Sequence, residues 1–150
     1  MRNTIISIDP GASGAIVVQN QHGTAAHKMT SSMTEICDTI RQIAATNPAA
    51  VAIVEKVGGY MPGNSGPAAA KFARHCGQIE AALYMAGIPI AWNPTPQIWM
   101  KKIGVPTKLQ KADRKRWIKD YAARRFPSVD ATLWNADALA MLCAFPPFIA

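Results

Sequence analysis

The chain opens on an apolar run, residues 4–9 (Thr-Ile-Ile-Ser-Ile-Asp), that stops at an acid before Pro10-Gly11 turns it. A second strand resumes over residues 14–18 and a third is predicted over 24–29, with Gln21-His22-Gly23 as the hairpin turn. Met33, Ile36, Ile40 and Ile43 then recur at helical spacing, which predicts a helix over about 32–46 that Asn47-Pro48 ends. Residues 50–57 (AVAIVEKV) read as a buried strand, and a loop rich in Gly and Pro follows as far as Gly66. A long helix over about 67–86 places Ala69, Phe72, Cys76, Ile79 and Leu83 on one stripe, with Gly87 as its C-terminal cap. Residues 88–92 make a short strand. Thr95 caps a helix that begins at Pro96, the helical position proline tolerates best. Further helices are predicted near 110–126 and 134–145. A meander of three strands followed by helix-linked strands implies an α/β fold. Its mixed five-stranded sheet, an antiparallel meander plus parallel strands, is flanked by helices in one domain over residues 1–150.

Composition narrows the classes of function. An apolar fraction of 49% with 17% charged residues belongs to a folded chain rather than a disordered one. No apolar run approaches the roughly 18 residues of a membrane helix, and the start does not read as a signal peptide, so a cytoplasmic location and no membrane partner are expected. Cys37, Cys76 and Cys143 are odd in number and widely spaced in apolar helical surroundings. They are expected to be buried thiols rather than a disulfide framework or a zinc site. The net charge of +7 and pI near 9.6 change the picture more. Much of the excess lies in residues 101–125, KKIGVPTKLQKADRKRWIKDYAARR, and such a cationic surface suits a polyanion, nucleic acid before membrane.

Three acids interrupt apolar surroundings: Asp9 at the end of the first strand, Glu55 near the end of the strand at 50–57, and Asp137 in the last helix. A buried carboxylate needs a cation, a hydrogen-bond network or solvent. Each acid also has a plain structural explanation. Asp9 before Pro-Gly suits a turn, Glu55 can pair with Lys56, and Asp137 can sit in the favourable first turn of a helix. If the strands of Asp9 and Glu55 are parallel neighbours, both acids emerge at one edge of the sheet, where α/β proteins place their sites. Carboxylates gathered there suit hard cations such as Mg²⁺ or Mn²⁺ and metal-assisted phosphodiester hydrolysis. His22, His27 and His75 fall in or beside a hairpin and in a helix, where surface or packing roles are expected.

Residues 6–15 (ISIDPGASGA), 51–57 (VAIVEKV) and 136–140 (ADALA) resemble, in order, the three acidic motifs of RuvC-type Holliday junction resolvases. The Gly-rich loop after the glutamate, the long helix, and the Gly-Ile-Pro-Ile and Pro-Thr-Pro-Gln segments before the basic helices resemble that family too, so the likeness spans nearly the whole chain. The short length is most similar to phage-encoded or divergent members, in a bacterial or phage-infected cell. The resemblance implies an RNase H-like fold, a homodimer, two Mg²⁺ or Mn²⁺ ions per active site, and paired nicks in branched DNA such as four-way junctions and forks. It assigns metal binding and catalysis to Asp9, Glu55 and Asp137.

The family usually carries a fourth ligand three residues before the last aspartate, where this chain has Trp134. Asn135 stands about 200° from Asp137 on an ideal helix. Asp130 is nearer the right face, but approaches only if residues 130–133 are not helical. Asp130 is therefore favoured over Asn135 or a water. Lys101, Lys102, Lys111, Arg114 and Lys115 are the candidate phosphate contacts, and Tyr60 and Met61 are candidates to wedge against unpaired bases. Asp9-Pro-Gly-Ala-Ser-Gly14 also resembles the phosphate-binding hairpin of actin-like ATPases, although those proteins clamp ATP between two such domains. A junction-binding protein that has lost catalysis is the other alternative, and Trp134 is its best support. A related nuclease preferring forks, flaps or RNA-containing duplexes stays open as well.

Overall fold

The structure is a computed structural model that describes residues 4–58, 63 and 65–146. Its sheet has the order β3-β2-β1-β4-β5, formed by β1 (Thr4–Asp9), β2 (Ala15–Asn20), β3 (Gly23–Lys28), β4 (Val51–Val54) and β5 (Ile90–Trp92). The first three strands are an antiparallel meander, while β4 runs parallel to both β1 and β5, with a register shift at Ala52/Ile53. The mixed sheet expected from the strand pattern is therefore present, and β4 lies directly beside β1. The helices are α1 (Met33–Thr46), α2 (Gly66–Met85), α3 (Pro96–Ile103), α4 (Lys111–Arg125) and α5 (Ala136–Ala144).

The alternation of side chains along the strands separates two cores. Ile6, Ile8, Ala52 and Val54 face α1 and α2, where Ile36, Ile40, Ile79 and Leu83 cover them. Ala15, Val17 and Ile53 face α3, α4 and α5, where Trp99, Ile118, Leu139 and Met141 cover them. Nearly every side chain of α5 is buried, which explains why its sequence reads as continuous apolar residues broken only by Asp137.

Several element ends differ from the sequence expectation for local reasons. Strand β4 stops at Val54 rather than reaching residue 57. The Glu55 amide still donates to the Ile8 carbonyl (3.0 Å), but the Lys56 amide turns away to the Pro94 carbonyl (2.7 Å). In α2 the apolar stripe is fully buried only at its C-terminal half, at Ile79, Ala82 and Leu83, while Ala69, Phe72 and Cys76 are half-buried. Thr95 occupies the N-cap position of α3, yet its hydroxyl makes no capping bond. All three cysteines are free thiols, half-buried rather than buried. Among the described residues no helix is long and apolar enough to cross a membrane.

Candidate active site

The turn between β1 and β2 shapes the site. Gly11 adopts φ 111°, a conformation that residues with a side chain rarely take, and its carbonyl accepts from the Gly14 amide at 3.0 Å. A Cβ on Gly14 would lie 1.9 Å from the Asp9 carbonyl oxygen, so only glycine lets the turn close against the strand end. Asp9 has the same strand parity as Ile5 and Ser7 and so points to the α5 side of the sheet. It lines a cleft of about 270 Å³ together with the 10–14 turn, Lys115 of α4, Leu133 and Asp137 in the first turn of α5.

Glu55 follows β4 directly and is held next to Asp9 by its backbone bond to Ile8. It is buried, 8% exposed, and its Oε2 accepts a hydrogen bond from Trp99 Nε1 at 2.6 Å. The Lys56 pairing considered from sequence is not formed. Asp9 and Asp137 have neither a hydrogen bond nor an ion pair from their carboxylates among the described residues.

Desolvation leaves its mark on the protonation of all three acids. Desolvation, reinforced by the charges of Glu55 and Asp137, pushes Asp9 up to about 9, against a smaller opposing pull from Lys115. Glu55 is pushed up to about 7 by burial, with the Trp99 hydrogen bond opposing and Asp137 adding to the rise. Burial raises Asp137 as well, against the attraction of Lys115 and Arg114. The three acids thus sense one another electrostatically. Among the described residues, however, no three His, Cys, Asp or Glu side chains are drawn close enough to hold a metal ion as they stand.

The remaining candidates scatter. Residues 130–132 are non-helical, the condition under which Asp130 was expected to reach the site. Asp130 is nonetheless exposed and is not among the residues lining the cleft. Asn135 is 1% exposed and fully committed to its own turn: Oδ1 accepts from the Thr132 amide (2.8 Å) and Nδ2 donates to the Asp130 carbonyl (2.9 Å). Lys115 and Arg114 stand at the acids, whereas Lys111 is exposed at the start of α4. Lys101 and Lys102 are exposed in the last turn of α3, Lys102 lying 5.1 Å above the Trp92 ring. Tyr60 and Met61 lie outside the described residues. Trp99 was not singled out from sequence, because a tryptophan in an amphipathic helix reads as core.

The sequence matches no protein-family model and no curated protein. Its fold is nevertheless similar to solved structures. A RuvC of Thermus thermophilus in complex with a Holliday junction substrate superposes with a TM-score of 0.66 at 15% sequence identity, covering 95% of this chain and 91% of that one. A second Thermus thermophilus RuvC structure gives a TM-score of 0.61 at 16% identity, covering 94% and 92%. The chain has the RuvC-like, RNase H-like α/β fold expected from its motifs.

Proposed function

We propose that this protein is a divalent-metal-dependent endonuclease that resolves Holliday junctions or other branched DNA by paired phosphodiester hydrolysis. The observation that carries this reading is the set of carboxylates, buried Glu55 and half-buried Asp9 and Asp137, at the ends of β1 and β4 and the start of α5, two of them without a hydrogen-bond or ion-pair partner among the described residues. The donor set fits a hard cation. It is all oxygen, it is largely desolvated, and Lys115 and Arg114 are the cations that act on it among the described residues. Asp9, Glu55 and Asp137 would hold two Mg²⁺ or Mn²⁺ ions, drawn in from their present spacing. The chemistry such ions supply is activation of a water and stabilisation of the leaving oxygen. Lys115 and Arg114 border the acids and are suited to neutralise the scissile phosphate. The solved neighbour bound to a Holliday junction supports branched DNA as the substrate class.

A homodimer is part of the proposal. Ala68, Ala70, Ala73, Gly77 and Ala81 are exposed along α2, beside an apolar groove shared with α1 that includes Met33 and Met85. Small residues of this kind let two helices approach closely.

The test is cleavage of four-way, fork, flap, linear and RNA–DNA hybrid substrates with Mg²⁺ or Mn²⁺, by wild type and by Asp9→Asn. Nicking of the four-way junction by wild type, lost in Asp9→Asn with binding retained, is expected. A binding protein without catalysis is the second reading, favoured by Trp134 at the position three residues before Asp137 where the family carries a fourth ligand. Gel retardation without nicking under every metal condition would establish it.

A further inference from the structure

Of the three acids, Glu55 is buried and held by another side chain, and the side chain that holds it is itself buried. Trp99 is 1% exposed, and its indole N–H is a donor with no acceptor capacity. Its partner is Glu55 Oε2, 44 residues away in sequence, at 2.6 Å. That distance is short for an N–H donor, as expected when the acceptor carries charge. The other Glu55 oxygen has no partner among the described residues.

The element that delivers Trp99 is firmly fixed. Helix α3 begins with Pro96, the Thr95 carbonyl accepts from the Ile98 (3.1 Å) and Trp99 (3.3 Å) amides, and Gly104 ends the helix at φ 83°. The indole ring lies in the same core as α5, which carries Asp137. One buried side chain therefore ties the acid after β4 to the packing that places the acid of α5.

We propose that Trp99 is a positioning residue. Its N–H fixes Glu55 Oε2 so that the second carboxylate oxygen is presented to the site in a single orientation. A glutamate has three rotatable bonds, and without this contact its head group would sample several rotamers between the sheet and α3. The inference rests on reading the acids as a metal-holding set. Partners that orient metal-binding side chains in this way commonly change metal affinity or activity by about 10–100-fold when removed.

Two measurements separate the bond from its purpose. The first is a double-mutant cycle in urea at pH 8, with wild type, Trp99→Phe, Glu55→Ala and the double variant. A real bond gives a coupling of roughly tenfold or more in the unfolding equilibrium constant; additive effects would overturn the proposal. The second is calorimetric titration of metal-free protein with Mn²⁺, set beside kcat and KM on a four-way junction. Trp99→Phe should weaken Mn²⁺ binding and lower kcat by about tenfold or more while KM is unchanged, since the Trp99 side chain is buried and not exposed on the surface. Because Trp99→Phe also leaves a cavity, the benzothienyl analogue of tryptophan is placed at position 99 as well. It keeps the ring volume, lacks the N–H, and should reproduce the loss. Wild-type Mn²⁺ affinity and kcat in the analogue would overturn the positioning role. Wild-type protein that takes up no Mn²⁺ would instead overturn the metal reading and the catalytic purpose of the bond with it, leaving the urea coupling to report the contact alone.

Discussion

Asp9 is the residue whose environment departs furthest from that of an ordinary carboxylate. Its group sits at 3.8 in an unperturbed setting and at about 9 here, so the folded protein keeps a proton that the unfolded chain releases. The stability this contributes is complete below about pH 4, declines as pH rises, and is gone above about pH 9. Metal-free wild type should therefore lose stability between about pH 5 and 9, whereas Asp9→Asn, which cannot ionise, should lose less and melt several degrees higher at pH 8. Mn²⁺ should recover the wild-type melting temperature at pH 8 and leave Asp9→Asn unmoved. Identical pH profiles by calorimetry would show that Asp9 is not under this strain. Asp130→Asn should cleave within about twofold of wild type, given an exposed side chain outside the cleft; a rise in the Mn²⁺ required would return Asp130 to the ligand set. Asp9, Glu55 and Asp137 stood out in the sequence because charge inside an apolar run has few explanations. Trp99 was hidden, since nothing in a linear pattern separates a packing indole from one donating to a carboxylate 44 residues away. The Asn135 bonds within its own turn were equally out of reach, because they depend on where residues 130–132 leave the helical path.

At the scale of elements, α4 offers two environments along its length. Lys111 opens it in solvent, and Lys115 lies one turn later in the cleft with Asp9 and Asp137. Lys111→Ala should weaken junction binding and reduce the salt slope by about one counterion. Lys115→Ala should lower kcat more than affinity, because its charge is directed at the acids. Binding and turnover measured from about 50 to 200 mM salt distinguish the two; equal effects on both constants would mean that α4 acts as a uniform cationic surface. The helices themselves were readable to within one or two residues from periodicity and punctuation, as with Asn47 closing α1 and Gly87 following α2. Strand ends were less so. The stop of β4 at Val54 is set by the Pro94 carbonyl on a distant segment, and a short apolar run carries no trace of that partner.

For the whole molecule, paired nicking requires two sites, and α2 is the face proposed to join them. Met85 and Tyr84 are 82% and 84% exposed at its end, large apolar surfaces that a second copy would cover. Light scattering at working concentration should report a dimer, and Gly77→Glu or Ala81→Glu should give monomers that bind junctions weakly and nick one strand at a time. A wild-type monomer that still makes paired nicks would remove α2 from the assembly. The order of strands was legible only as a class, since a meander followed by helix-linked strands permits several placements of β4. The parallel pairing of Ile8 with Val54 settles it and brings Asp9 beside Glu55.

The sheet that carries the acids is also a partition. On one side Ile40 and Leu83 belong to the core under α1 and α2; on the other Ile118 and Leu139 belong to the core under α3 to α5. Disturbances that stay on their own side should be energetically deaf to each other. Ile40→Val and Ile118→Val, each costing about 1 kcal/mol, should sum to within about 0.5 kcal/mol in the double variant. The same independence gives the chain two tuning dials. Under the proposed function, substitutions beneath α1 and α2 are expected to adjust association between copies while turnover at the acids stays constant, and substitutions beneath α5 to adjust turnover in an unchanged assembly.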